Sequence, residues 1–329
     1  METSLDLSRW SERPRGVGYR RWTMVTTGLR QLFRTKLFKF LLATAWSGGL
    51  LLAALGFLFS QSISSGGWLE TLAHNFGPRA EAVVAALAAF VLLYPEICIG
   101  GWYTLLFWLQ SFMGLGLSLV ALTAMIPRLI TRDRSTHALT VYLSRPLTSG
   151  DYLLGKLGII FGVLIALWTG PLLLGWVVSV AFAPDLDFVV HSFNPLLRGL
   201  LFHGVSAVAL AAIALGVSAI SRTPRNTTII WIGLWLVIGA VAKPPGAPAW
   251  VRRASFTHSL GEARQGIIPL DTALKDAATI LPIMNQPLIQ NLSRASTKVA
   301  ATDFPGALAS LGVFTVLASF VFFRRLRPE

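Results

Sequence analysis

Residues 153–182 read LLGKLGIIFGVLIALWTGPLLLGWVVSVAF, thirty residues carrying one charge, Lys156. As a helix the run is about 45 Å long, more than the ~30 Å hydrocarbon core of a bilayer requires. A helix apolar on every side has no water-facing surface, so the segment reads as a membrane span. The rest of the chain agrees. Of 329 residues, 54% are hydrophobic and 13% are charged, half the ~25% usual in soluble proteins. Eleven Trp and 20 Phe suit a chain with many lipid–water boundaries, where aromatic rings settle. The single cysteine, Cys98, excludes an internal disulfide and a multi-cysteine zinc site.

Working outward, six stretches are apolar enough to cross a bilayer: roughly 38–63, 101–126, 153–182, 199–220, 227–242 and 304–323. A further run, Ala82 to Tyr94, is cut short by Pro95-Glu96 and suits an interfacial or re-entrant helix better. No short apolar core or cleavage site precedes the first run, which is therefore expected to stay in the mature protein. The fold class expected is an all-α integral membrane protein with six transmembrane helices. Charge placement orients it. With the N-terminus inside, segments 1–39, 127–156, 221–226 and 324–329 hold 19 of the 28 Lys and Arg. The short outer loops hold only Arg79 and Arg198, so both termini are expected in the cytoplasm. The net charge of +13 is then a topology signal and not a nucleic-acid footprint, although anionic lipid headgroups would welcome it.

Residues 1–16 read as a disordered cytoplasmic tail, 17–36 as an amphipathic interfacial helix, and 37–329 as the six-span domain. In the helix, Tyr19, Trp22, Val25, Leu29, Leu32 and Phe33 recur at three- and four-residue spacing, with arginines largely between them. Such a helix lies on the inner membrane surface with its apolar face among acyl chains. The long segment 243–303 is broken by Gly and Pro into pieces too short to span. Two or three short helices are expected there, some dipping partway into the bilayer. One is Asp271 to Leu281, with Leu274, Ala277, Ala278 and Leu281 on one face.

The loop between the second and third spans, PRLITRDRSTHALTVYLSRPLTSGDYLLGK (127–156), has structure of its own. Asp133 or Ser135 can cap a short helix whose apolar face is Ala138, Leu139, Tyr142 and Leu143, and Arg145-Pro146 ends it. Ser149-Gly150-Asp151 then opens the third span. A half-apolar helix outside the bilayer is a docking surface for a protein.

The runs Arg128-Leu-Ile-x-x-Asp133, Ala138-Leu-Thr-Val-Tyr142-Leu-Ser-Arg145-Pro146-Leu and Asp151-Tyr-Leu-Leu-Gly155-Lys156 resemble the first cytoplasmic loop of ABC transporter permeases of the ABC-2 type. The resemblance implies an elbow helix before the first span and short or re-entrant helices between spans five and six. It implies that 133–143 is the coupling helix seated on a separate cytoplasmic ABC ATPase. The residues it assigns to that contact are Asp133, Arg134, His137, Leu139, Tyr142, Arg145 and Pro146. It further implies an exporter in a bacterial plasma membrane, paired with a second, identical or different, permease subunit. No cofactor is expected in this chain, because ATP and magnesium would be bound by the partner ATPase. The chain departs from the commonest family layout in the long region 64–100. A non-transporting membrane scaffold that anchors a soluble partner is the alternative reading.

Other motifs carry less. Gly150 to Lys156 fits part of a phosphate loop, but Leu157 stands where a magnesium-binding hydroxyl is needed and no strand precedes it. Ser206 and Ser218 sit in Gly-Val-Ser-Ala runs near His203, a pattern better explained by close helix packing than by catalysis. His203 itself is a costly polar group inside a span, for which a local hydrogen bond is the plainer account. Gly158-x-x-x-Gly162 suits helix pairing, within the subunit or between subunits. No His, Asp and Glu cluster has metal-ligand spacing.

Overall fold

A computed structural model of the chain describes residues 16–63, 67–131, 133, 148–183, 185–221, 223–242, 244, 247–280 and 286–325. Among these residues the structure is helical without strands. Helix α1 is Val17–Phe33 and α2, the first span, is Lys36–Ile63. Then come α3 (Trp68–Phe76) and α4 (Pro78–Leu93), a hairpin turned at Gly77, whose φ of +95° is glycine's region. The second span is α5 (Pro95–Ile126), extended by a π-helical turn, Pro127–Thr131. The third is α6 (Ser149–Leu164), a π turn over Ile165–Thr169, and α7 (Gly170–Ala181). The fourth is α8 (Asp187–Ile220). The fifth is α9 (Pro224–Ile232), a π turn over Gly233–Val237, and α10 (Ile238–Ala242). Next lie α11 (Ala249–Arg253), α12 (Phe256–Ile267), α13 (Leu270–Ile280) and α14 (Gln286–Val299). The last span is α15 (Phe304–Arg325).

Six helices are long and apolar enough to cross a membrane. Two begin well before the apolar windows in the sequence: α5 at Pro95 and α8 at Asp187. Their early turns carry Glu96, His191, Asn194 and Arg198, polar residues that hydropathy excludes but that extend a helix past the hydrocarbon into water. Pro195 sits inside α8 without breaking it. The His191 carbonyl it leaves without an N–H donor faces Gly100 of α5, where an added Cβ would lie 3.5 Å away.

Small residues set the tightest helix contact, as they do where lipid supplies no hydrophobic drive. On α2, Gly49 and Gly56 face Pro171, Gly175 and Ser179 of α7; a Cβ on Gly175 would sit 2.8 Å from the Gly49 carbonyl. The π turn before α7 follows from Pro171. In π register the Ala166 carbonyl should accept from residue 171, which has no N–H, and the Trp46 indole of α2 donates to it instead at 3.1 Å. The same turn places Thr169 2.5 Å from the His203 ring, so the histidine buried in the fourth span is bonded locally.

Region 243–303 holds four helices among the described residues, not two or three. The face of α13 is as expected, with Leu274, Ala277 and Ala278 half-buried and Thr272, Lys275, Asp276 and Thr279 exposed; Leu281 lies outside the described residues. Helix α12 runs along the first half of α15. Phe256 reaches the rings of Trp231 and Phe314 (5.8 and 6.3 Å), while Glu262 accepts hydrogen bonds from the Thr302 N–H and hydroxyl (2.7 and 2.9 Å). Phe314 is ten residues into α15, so the start of α12 lies about 15 Å below the start of that span. Arg264, 8% exposed, stacks on Trp108 and Phe112 of α5 at 4.6 and 5.1 Å.

Candidate functional site

The two ends of the 134–147 loop meet at the basic end of the bundle, where α1, the last turn of α5 and the first turns of α6 come together. Of the residues assigned to partner docking, Asp133 is described; Arg134, His137, Leu139, Tyr142, Arg145 and Pro146 lie outside the described residues. The proposed short helix and its Arg145-Pro146 stop lie there too. What the structure shows is the neck from which that loop emerges.

The neck is closed by charge. The Asp133 carboxylate accepts a hydrogen bond from the Tyr152 hydroxyl at 2.8 Å and pairs with the Lys156 ammonium at 2.7 Å. Lys156 is 9% exposed and lies over the Tyr152 ring. Asp133 is therefore spent on α6, and Lys156 of the phosphate-loop-like run serves as its counterion. Sequence reading placed the cap of the third span at Ser149-Gly150-Asp151; it is Thr148, in a reciprocal capping box with Asp151. The Thr148 hydroxyl accepts from the Asp151 N–H at 3.2 Å, and the Asp151 carboxylate accepts from the Thr148 N–H at 3.1 Å. The other Asp151 oxygen accepts from Arg21 of α1, through Nε at 2.7 Å and also through Nη2.

Around this ion pair α1 lies in a groove of α6. A Cβ on Gly155, Gly158 or Gly162 would fall 2.3, 2.5 or 2.7 Å from Met24, Val25 or Leu29, so only glycine admits those side chains. The Gly158-x-x-x-Gly162 pattern is thus filled within the subunit. The apolar face expected to lie among acyl chains is divided. Val25, Leu29 and the buried Leu32 belong to the protein contact, and Tyr19 and Trp22 stay exposed at 48% and 65%.

A third connection runs from the π turn at the end of α5. Thr131, wholly buried, donates to the Ser218 carbonyl at 2.9 Å and lies 3.0 Å from the Thr227 hydroxyl. Ser218 is therefore occupied by Thr131 and by the Ile126 carbonyl (3.1 Å), and the one histidine near the serine runs is bonded to Thr169. Through Asp133, Asp151 and Thr131 the loop's two ends are joined to α1, α6, α8 and α9.

Sequence reasoning missed Arg21, Thr131, Asp151, Tyr152, Lys156 and Thr227 as a set. Two carried a readable signal: Asp151 and Lys156 are charges in the first turns of a span, where an ionised group needs a partner. Their partners were not readable, since Arg21 and Asp151 are 130 residues apart.

At the opposite end, a cavity of about 480 Å³ opens between α5, α8 and α13. Glu96, Thr104, His191, Asn194, Arg198 and Asp276 line it. Arg198 donates to Asn194 at 3.2 Å, and none of these charged groups is in an ion pair among the described residues. Among the described residues no group of His, Cys, Asp and Glu is arranged to hold a metal ion.

Residues 109–326, from the middle of α5 through α15, match the family model described as ABC-2 family transporter protein. No curated protein matches the chain.

Proposed function

The chain belongs to the ABC-2 transporter family, and from that premise we propose that it is the membrane subunit through which a separate cytoplasmic ATPase drives export. The family's membrane subunits are transport components, and this one is an integral membrane protein with six apolar helices of spanning length. The basic end would face the cytoplasm and present the 127–156 loop to the ATPase. Residues 133–143 would be the coupling helix, with Asp133, Arg134, His137, Leu139, Tyr142, Arg145 and Pro146 at the contact, Asp133 anchoring its start to α6. ATP and magnesium belong to the partner, and a second permease subunit would complete the path.

One observation carries this reading. The loop is joined at its neck to α1, α6, α8 and α9, so a displacement of the neck would be passed to those helices. An interfacial anchor for a passive partner would need no such connections. The test uses tagged full-length protein purified in mild detergent. A soluble subunit with vanadate-sensitive ATP hydrolysis should co-purify. Leu139→Asp with Tyr142→Asp should release it without loss of membrane insertion, because a charge desolvated in an interface costs several kcal/mol. An eluate with no ATP hydrolysis, or a double variant that retains it, would sink the proposal.

A further inference from the structure

Beside the neck lies a second cavity, about 520 Å³, between α1, the end of α5 and α6. Its polar wall carries three cations, Arg20, Arg128 and Lys156, and one acid, Asp133. Asp133 is already neutralised by Lys156. Nearby Asp151 is held by Arg21 and by its capping box. Arg20 and Arg128 are therefore left without an acidic partner among the described residues, on the wall of one cavity. The adjoining stretch 134–147 supplies no relief: it adds Arg134, His137 and Arg145 and contains no Asp or Glu.

The rest of the wall is mixed: Thr23, Thr27 and Gln31 are polar, and Met24, Leu32, Met125 and Ile159 are apolar. Unpaired cations beside apolar side chains match a molecule with an anionic head and a hydrocarbon tail. Depth agrees. On α1 the exposed Tyr19 and Trp22 mark the headgroup level, where amphipathic aromatics settle. Basic pockets between helices at that level hold acidic lipid headgroups. Paired guanidinium groups suit phosphate in particular, because each presents a planar fork to two oxygens.

We propose that this cavity is a site for the phosphate headgroup of an anionic phospholipid, bound by Arg20 and Arg128, with its acyl chain leaving past the half-buried Met24. Nothing in this depends on what the protein transports. Occupied, the site brings a lipid against both α1 and the loop neck, so α1's seat on α6 becomes sensitive to the membrane's anionic lipid content.

The experiment uses full-length protein in neutral detergent, with thermal melting and native mass spectrometry as readouts. Dioleoylphosphatidylglycerol should bind and raise the melting temperature; dioleoylphosphatidylcholine should not. Arg20→Gln with Arg128→Gln should weaken phosphatidylglycerol binding by roughly thirtyfold, two headgroup cations' worth. Neither arginine has an acidic partner among the described residues to lose, so melting without lipid should be unchanged or slightly higher, which separates lost binding from lost folding. Arg30→Gln, on the same helix but outside the cavity, should bind as the parent does. Equal binding of the two lipids, or full binding by the double variant, would overturn the site. Stabilisation by inorganic phosphate equal to that by phosphatidylglycerol would overturn the lipid as its source.

Discussion

The two ends of the helical bundle treat their acidic residues in opposite ways. At the basic end every acid in the described structure near the loop is engaged: Asp133 by Lys156 and Tyr152, Asp151 by Arg21 and its cap. At the other end Glu96, His191, Arg198 and Asp276 stand around a cavity of similar size without an ion pair among the described residues. A buried charge pair fixes one geometry and is expensive to break, while solvated charges around water-filled space leave their helices free to shift. One end is stapled by ion pairs among the described residues, and the cavity at the other is not.

The largest effect should come from breaking the pair in the neck on one side only. Lys156→Met leaves the Asp133 carboxylate without its counterion in a mostly buried position, and stability should fall by about 3 kcal/mol. Adding Asp133→Asn should recover most of that, because a neutral pair needs no counterion. Melting of the four members of this cycle measures the coupling. Additive losses would mean the neck is not stapled by this pair.

A smaller effect is expected at the α1 contact. Arg21 is 42% exposed on its side chain and Asp151 is 5% exposed, so part of their attraction is screened. Arg21→Gln should cost about 1 kcal/mol, with the capping box still holding the start of α6. The change should be local: α1 amides should exchange with deuterium several-fold faster while those of α8 and α15 do not. Gly158→Leu should release the same helix, because a Cβ alone would fall 2.5 Å from Val25. Uniformly faster exchange would show that α1 is part of the core and not a docked element.

How much of this was legible depends on the range over which each signal acts. The spans were readable because twenty apolar residues in a row have one physical solution. The starts of α5 and α8 were not, since Glu96, His191 and Arg198 lie on helix that extends beyond the apolar window. The face of α13 was readable from local periodicity. The site was legible only in part. Asp151 and Lys156 announced that they needed partners, but which arginine and which aspartate answered is a tertiary fact. For α1 the periodicity was right and its reading incomplete: an apolar stripe does not say whether lipid or three glycines will receive it. The lone Trp46–Ala166 bond was hidden twice, in the π turn and in a contact across 120 residues.

The smallest effect is the sharpest test of the contrast. Glu96 and Asp276 are exposed, line the cavity between α5, α8 and α13, and have no ion pair among the described residues. Replacing an exposed, unpaired carboxylate removes little attraction and creates no void. Glu96→Gln and Asp276→Asn, alone or together, should change stability by less than about 0.5 kcal/mol, the range of surface substitutions away from special features. If the double variant instead melts as early as Lys156→Met, these charges are holding α5, α8 and α13 together. The two ends would then be equally stapled, and a stapled end opposed to an unstapled one would be the wrong description of this bundle.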